Sequence, residues 1–162
     1  MAGSWPEAVE RVASYLRAAG VNARLEQFDE GTPTAEAAAR AVGCALEQIV
    51  KSLVFDCDGR AVVVLVPGNR RADSRKVARA LGCSRARVAT AEQVERVTGF
   101  PPGAVAPFPL PGVERVLIER RLLEHEVVWV GAGSAHHMAA LGPSDLVRLT
   151  RAKTMDAVAE AA

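Results

Sequence analysis

Hydrophobic residues recur along the chain at two spacings, one typical of helices and the other of strands. Helical spacing over 4–20, 34–43, 73–82 and 90–99 predicts four helices, and each of these segments ends in glycine. Two further helices are expected over 144–150 and 154–161. The expected N-terminal caps are Ser4 with Glu7, Thr34, Asp73, and Thr90 with Gln93.

Strand-like runs of apolar and β-branched residues lie between these helices. They cover 22–28, 49–57, 60–67, 114–119, 126–133 and 136–141. Asp58-Gly59 separates the second and third runs and predicts a hairpin turn, while the uniformly apolar 61–66 predicts a central strand. The expected fold is α/β (α+β), with residues 1–162 forming a single domain in which helices surround a mixed, mostly antiparallel sheet.

The proline- and glycine-rich segment 99–112 fits neither a helix nor a central strand. It nevertheless contains Phe100, Val105, Phe108 and Leu110, which are residues that normally pack in a core. We therefore expect an ordered, functional loop within the domain.

Lys51 interrupts an apolar strand face. Strand alternation puts it on the same face as Ile49, Leu53 and Phe55. A lysine among core residues needs either an anionic partner, such as a ligand phosphate, or a position from which it reaches solvent. The spacing leaves both possibilities open.

Composition narrows the function classes. The chain has 162 residues, is 49% hydrophobic and has a formal net charge of +1, which fits one globular domain and excludes a generally basic nucleic-acid coat. Aromatic residues make up only 4%, so any RNA contact should be local. Arg70, Arg71 and Arg75 begin a basic run that is either a solvated helix face or a phosphate-binding patch.

Metal-binding, covalent and membrane-spanning patterns are not recognisable in the sequence. Cys44, Cys57 and Cys83 lack a CxxC spacing, which predicts a reducing cytoplasm rather than a disulfide framework. His136 and His137 are adjacent and, in a strand, would point to opposite faces, so we expect no metal site and no cofactor. The apolar run 61–66 is too short to span a membrane.

The glycine-rich stretch 131–134, GAGS, matches neither GxSxG nor a full GxGxxG. Its glycines fit an ordinary strand-end turn or a backbone that approaches a ligand closely.

Five segments together resemble the YbaK/prolyl-tRNA synthetase-associated domain family. In order they are IVKSLVF, VVVLVPGNRRAD, TAEQVERVTGFPPGAVAPF, GAGS and PSDLVRLT. The resemblance runs from about Thr34 to Ala159. It implies a free-standing deacylase for mischarged aminoacyl-tRNA, typically tRNA-Pro carrying a small wrong amino acid such as Ala or Cys.

The resemblance also implies a site. Lys51 would meet the terminal adenosine phosphate, and Gly131, Gly133 and Ser134 would contact the aminoacyl group or orient water. The ester would be hydrolysed by water, assisted by the substrate 2′-hydroxyl and by backbone N–H groups, without a protein nucleophile. The implied substrate-binding residues are Phe100, the GxxxP loop of Gly103, Ala104, Val105, Ala106 and Pro107, and His136.

The resemblance implies that tRNA is the partner, and whether a synthetase or elongation factor is a further partner stays open. The cysteines and the short apolar runs predict a cytoplasmic protein with no membrane partner, and we expect no DNA partner. Members that act on Cys-tRNA-Pro often carry an acidic residue where this chain has Met138 or a neighbouring histidine, so the amino acid stays open. Two alternatives remain: a catalytically silent module that binds a tRNA acceptor end or a synthetase, and a small-molecule hydrolase that uses the same pocket.

Overall fold

The structure, a computed structural model, describes residues 5–160 and contains helices on both sides of β-structure. The helices are α1 (Glu7–Ala18), α2 (Ala35–Val42), α3 (Ser74–Leu81), α4 (Ala91–Thr98) and α5 (Pro143–Thr150). The strands are β1 (Arg24–Gln27), β2 (Val50–Cys57), β3 (Arg60–Pro67), β4 (Ala86–Val88), β5 (Arg115–Glu119), β6 (Val128–Ser134), β7 (His137–Leu141) and β8 (Lys153–Met155).

The strands form two sheets. One is antiparallel with the order β1-β7-β6, and the other is mixed with the order β4-β2-β3-β5-β8. In the mixed sheet β2 pairs antiparallel with both β3 and β4, whereas β5 pairs parallel with β3 and β8. A single parallel bridge between Ile49 and Trp129 joins the sheets near the start of β2. The predicted α+β fold is thus confirmed, with the strands divided between two sheets.

β3 is central, as its uniformly apolar sequence predicts. Val63 and Leu65 pack in a core that includes Phe108 and Ile118, whereas Val62, Val64 and Val66 pack on the opposite face of the sheet. All five side chains of residues 62–66 are buried. Both faces of the strand are therefore covered by protein, which explains the lack of polar alternation.

The local helix signals are largely confirmed. The Thr34 side chain accepts a hydrogen bond from the Ala37 N–H, and Thr90 forms the predicted capping box with Gln93. The Asp73 carboxylate caps α3 by accepting from the Arg75 N–H. Ser4 lies outside the described residues, and α1 begins at Glu7 after Pro6.

The predicted helix over 154–161 is wrong. Residues 153–155 form β8, and the following residues are held by two side chains from elsewhere. The fully buried Glu119 carboxylate accepts from the Ala157 N–H at 2.7 Å and from the Arg121 guanidinium at 2.8 Å. Lys76 Nζ donates to the Asp156 carboxylate at 3.0 Å and to the Val158 carbonyl at 2.7 Å. We call Lys76, Glu119, Arg121 and residues 156–158 the C-terminal clamp.

The expectation that the cysteines form no disulfide is also wrong. Cys57 at the end of β2 and Cys83 after α3 are joined by a disulfide, with Cα atoms 6.0 Å apart. The chain returns through α3 and then enters β4, which pairs with β2, so two cysteines distant in sequence meet. Cys44 is free and partly buried, and burial raises its thiol pKa.

Over residues 5–160, none of the helices combines the length and the apolar character needed to cross a bilayer.

Candidate functional site

A cavity of about 330 Å³ opens where the two sheets meet, at the start of β2. This volume lies at the small end of the usual range for ligand pockets. The lining residues come from four segments brought together by the fold: Thr32, Pro33, Thr34, Ala35 and Ala38, then residues 49–53, then Gly103 and Val105, then Gly131, Ser134, His137 and Met138. We call this cavity the pocket.

Lys51 lies in the pocket wall with most of its hydrogen-bonding capacity unused. Its Nζ donates to the Arg70 carbonyl at 2.6 Å, and no carboxylate within residues 5–160 comes within 4.0 Å of it. Burial lowers the pKa of the ammonium, the charge of Glu36 acts against this, and that of Arg71 adds to it. Since an ammonium has three donors, the side chain can still bind an incoming oxygen or phosphate.

The predicted apolar face around Lys51 is present, and it explains the burial. Phe55 is fully buried on this face of β2, Ile49 just before the strand is also buried, and Leu53 is half-buried beside the pocket. The ammonium therefore sits at the end of an apolar surface, where its attraction for an anion is less screened than in open water.

A serine–histidine pair forms the opposite wall. Ser134 Oγ lies 2.6 Å from His137 Nδ1 and accepts a hydrogen bond from the His136 N–H. The His137 ring also packs edge-on against Trp5, with ring centroids 5.3 Å apart. Burial lowers the pKa of His137, and the neighbouring His136 lowers it further, which favours the neutral imidazole.

Two polar atoms of the pocket residues are buried without a partner within the described chain. They are Ser52 Oγ and His137 Nε2. Because leaving a buried polar group unpaired is costly, such atoms are rare in folded proteins and often mark functional sites. Both residues line the same cavity as Lys51.

The GxxxP loop reaches the pocket through a close approach to Gly131. A Cβ atom on Gly131 would lie 2.8 Å from the Val105 carbonyl oxygen, so a larger residue would displace the loop. The Ala104 N–H donates to the Pro101 carbonyl, whereas neither the Gly103 nor the Val105 N–H has a protein acceptor in residues 5–160. Both residues line the pocket.

Several predicted site residues lie away from the pocket lining. Ala104 and Ala106 are buried behind it, and Phe100 is buried beneath the Arg11 guanidinium. Pro107 faces a second cavity on the other side of the loop. Of the loop residues, Gly103 and Val105 line the pocket, and direct ligand contact by the other four residues stays a prediction.

Gly133 and His136 also lie outside the pocket lining, and their expected contacts stay predictions. Gly133 has a φ of +101° and faces α1, where an added Cβ would lie 2.9 Å from the Ala8 carbonyl oxygen. His136 is exposed in the β6–β7 turn, with its ring nitrogen near the Phe28 carbonyl. A register shift between Gly131 and Ser134 and the turn that follows bring His137, rather than His136, to the pocket.

The predicted arginines lie at and beyond the pocket rim. The Arg70 carbonyl contacts Lys51, and its guanidinium donates to the Ala159 carbonyl. Arg71 and Arg75 are exposed, and Arg71 is near enough to affect the pKa of Lys51.

Sequence reasoning missed Ser52 and the segment 32–38 as parts of the pocket. Ser52 follows Lys51 directly, and its unpaired hydroxyl is visible only in three dimensions. Thr32 is buried and donates to the Ala135 carbonyl at 3.2 Å, which fixes this segment against the β6–β7 turn. No sequence motif signals that contact, although the cap residue Thr34 lies two positions further on.

The fold and the pocket define a class of protein. The chain belongs to the aminoacyl-tRNA editing domain family, whose model matches residues 29–149. This finding confirms the resemblance proposed from the sequence.

Particular relatives agree with this assignment. A proline--tRNA ligase of Nitratidesulfovibrio vulgaris (strain DP4) is 36% identical over 132 residues, covering 80% of this chain and 22% of the ligase. The uncharacterised protein YwhH of Bacillus subtilis (strain 168) is 30% identical over 130 residues, covering 80% of this chain and 82% of YwhH. The chain thus spans only about a fifth of the matched ligase.

A solved structure has nearly the same fold. It is a crystal structure provisionally described as a trans-editing enzyme for prolyl tRNA synthetase, and it superposes with a TM-score of 0.90 at 33% sequence identity. The match covers 97% of this chain and all of the other.

Proposed function

We propose that the protein is a trans-editing deacylase that hydrolyses the ester of mischarged aminoacyl-tRNA. The observation that carries this proposal is the half-buried Lys51 ammonium, which has a single protein partner and shares its pocket with the unpaired Ser52 hydroxyl and His137 ring nitrogen. Membership of an aminoacyl-tRNA editing family supplies the substrate class.

In the proposed reaction Lys51 binds the phosphate of the terminal adenosine and holds the ester in the pocket. A water molecule attacks the ester carbonyl, the bond to the ribose oxygen breaks, and a proton passes to that oxygen with help from the neighbouring 2′-hydroxyl. The Gly103 and Val105 N–H groups are the candidate donors to the developing oxyanion. His137, held by Ser134, orients the aminoacyl group or the water through its neutral ring.

The pocket supports selection of a small amino acid. Ala35, Ala38, Ile49 and Met138 give it an apolar wall, and its volume is modest. We propose tRNA-Pro carrying alanine or cysteine as the substrate, because proline--tRNA ligases are among the relatives. The proposed site of action is the cytoplasm, where aminoacyl-tRNA is used, with association to a synthetase or elongation factor as a further possibility.

A deacylation time course tests the proposal. The substrates are tRNA-Pro charged with Ala, Cys, Ser or Pro, and the proteins are the wild type, Lys51→Met and Lys76→Met. Both variants remove one lysine charge, but Lys76 is fully paired in the C-terminal clamp. We expect Lys51→Met to lose about 10²–10³-fold in rate and Lys76→Met to retain the wild-type rate per folded molecule.

Two outcomes would overturn the proposal. In one, the wild type clears no charged tRNA faster than spontaneous hydrolysis. This result, together with retained tRNA binding, would favour the silent binding module. In the other, Lys51→Met hydrolyses as fast as Lys76→Met, which would remove Lys51 from the site.

A further inference from the structure

A second, wider cavity lies on the other side of the GxxxP loop. It has a volume of about 1040 Å³ and is formed by one side of α1, the end of α4, residues 107–116 and the end of α5. Four arginines from four different elements line it: Arg11, Arg96, Arg115 and Arg151. We call this cavity the arginine groove.

The arginine groove concentrates positive charge in an otherwise nearly neutral protein. Glu114 is the one carboxylate in its lining, and it lies 3.9 Å from Arg60. Arg115 and Arg151 are exposed, and no carboxylate of the described residues comes within 4.0 Å of either. The formal net charge of the whole chain is only +1, so this local excess fits an anionic occupant.

The other two arginines are held in place by neighbouring groups. Arg11 donates to the Gly99 carbonyl at 3.2 Å and lies over the Phe100 ring, 4.6 Å from its centroid. Arg96 lies 3.9 Å from Glu92, which is itself largely exposed. An open groove with separated guanidinium groups suits a ligand with several spaced phosphates better than a single small anion, because each planar guanidinium can bind one phosphate.

The arginine groove and the pocket lie near the same helix, α1. The Ala8 carbonyl packs against Gly133 beside the pocket wall, whereas Arg11 and Tyr15 further along α1 face the groove. Ala8 and Tyr15 are separated by about 10 Å along the helix axis.

The GxxxP loop also lies between the pocket and the groove and contributes residues to both. Val105 lines the pocket and Pro107 lines the groove, only two residues further along the chain. Two residues of extended chain span at most about 7 Å. The pocket and the groove are therefore separated at this point by about the thickness of one loop.

We propose that the arginine groove binds the sugar–phosphate backbone of the acceptor arm of the RNA whose aminoacylated 3′ end occupies the pocket. This inference rests on the proposed function. It assigns RNA affinity to a surface distinct from the exposed Arg71 and Arg75 beside Lys51, and it explains how a protein without a general positive charge can hold a long polyanion.

In the test, two double variants are each assayed on two substrates. The double variant Arg115→Gln/Arg151→Gln removes two groove charges, and Arg17→Gln/Arg40→Gln removes two exposed charges outside both cavities. One substrate is mischarged tRNA, and the other is a 3′-aminoacyl adenosine 5′-monophosphate, which fills the pocket but has no acceptor arm. Thermal unfolding checks that each variant is folded.

We expect the groove variant to lose about tenfold or more in kcat/KM on tRNA, mainly through KM, and to hydrolyse the mononucleotide ester at the wild-type rate. The slope of log affinity against log salt for uncharged tRNA, measured by fluorescence anisotropy, should become shallower by about two. The control variant should match the wild type on both substrates.

The inference is overturned if the groove variant binds and hydrolyses tRNA like the control, or if it loses equally on both substrates. In the first case the groove does not contact RNA, and an acidic protein partner becomes the remaining occupant. If the wild type hydrolyses neither substrate, the deacylase proposal fails separately, and the anisotropy titration alone decides on the groove.

Discussion

Polar groups are fully hydrogen-bonded in the C-terminal clamp, whereas several in the pocket have unused hydrogen-bonding capacity. In the clamp, Lys76 Nζ has both Asp156 carboxylate oxygens and the Val158 carbonyl as partners, and the buried Glu119 carboxylate is likewise bonded on both oxygens. In the pocket, Lys51 Nζ has a single carbonyl partner, and Ser52 Oγ and His137 Nε2 have none within the described chain.

This difference separates groups that stabilise the fold from groups that are available to a ligand. When buried polar groups are fully hydrogen-bonded, those bonds compensate for the free energy of desolvation. The clamp can therefore hold the C-terminal segment in place. Unpaired groups lower stability and persist where a ligand completes their hydrogen bonds. The Lys76 ammonium also lowers the pKa of the Asp156 carboxyl, whereas burial lowers the pKa of Lys51 itself.

The largest effect on stability should come from breaking the clamp. We expect Glu119→Ala to cost about 3 kcal/mol, because it leaves the buried Ala157 N–H without an acceptor and creates a cavity. Glu119→Gln, which keeps an acceptor oxygen, should cost less. Urea unfolding measures both, and Lys51→Ala is the matched pocket change, for which we expect a loss below about 1 kcal/mol. Equal losses for Glu119→Ala and Lys51→Ala would contradict the distinction between the two regions.

A smaller effect should appear as pH dependence from the pocket. The pKa of His137 is lowered from the ordinary 6.5 in the folded protein, chiefly by burial. Well above pH 6.5 the ring is neutral in both states and adds no pH dependence. As pH falls below 6.5 the unfolded chain takes up the proton first, so the free energy of unfolding should decrease until the folded ring also protonates.

Urea unfolding at pH 7.5 and pH 5 measures this dependence. His137→Gln should show a smaller decrease than the wild type, while His125→Gln, outside the pocket, should retain the wild-type difference. An unchanged decrease in His137→Gln would show that another group is responsible.

The smallest effect concerns two hydroxyls. Thr98 Oγ1 donates to the Val94 carbonyl and accepts from the Phe100 N–H, whereas Ser52 Oγ is unpaired. We expect Thr98→Val to cost about 1 kcal/mol and Ser52→Ala to be within about 0.5 kcal/mol of the wild type. Thermal unfolding measures both changes. A larger loss for Ser52→Ala than for Thr98→Val would mean that the Ser52 hydroxyl has a structural partner.

Signals that act within a few residues predicted much of the fold. The Asp58-Gly59 turn and the Thr90–Gln93 capping box were found because the residues that interact are close in sequence. The helix expected over 154–161 does not form, because β8 pairs with β5 and the Ala157 N–H donates to Glu119. Both partners are distant in sequence. Its local helical spacing was overridden by tertiary contacts.

Candidate site residues could be named where the signal lay in one residue, and stayed open where it depended on register. Lys51 was singled out because a charge on an apolar face is visible in the sequence. The sequence left open whether His136 or His137 faces the pocket, because the shift between Gly131 and Ser134 decides it and a shift of one position reverses the face. The disulfide between Cys57 and Cys83 depended on the α3 return, which spacing alone does not reveal.

The close approach of the Val105 carbonyl to Gly131 bears on how the pocket can be redesigned. At this boundary of the pocket the main chain of Gly131 packs against the main chain of Val105. Any side chain introduced at position 131 would therefore displace the loop rather than enlarge the pocket. Redesign for a different ligand would begin instead at Ala38, Ile49 and Met138, whose side chains line the pocket.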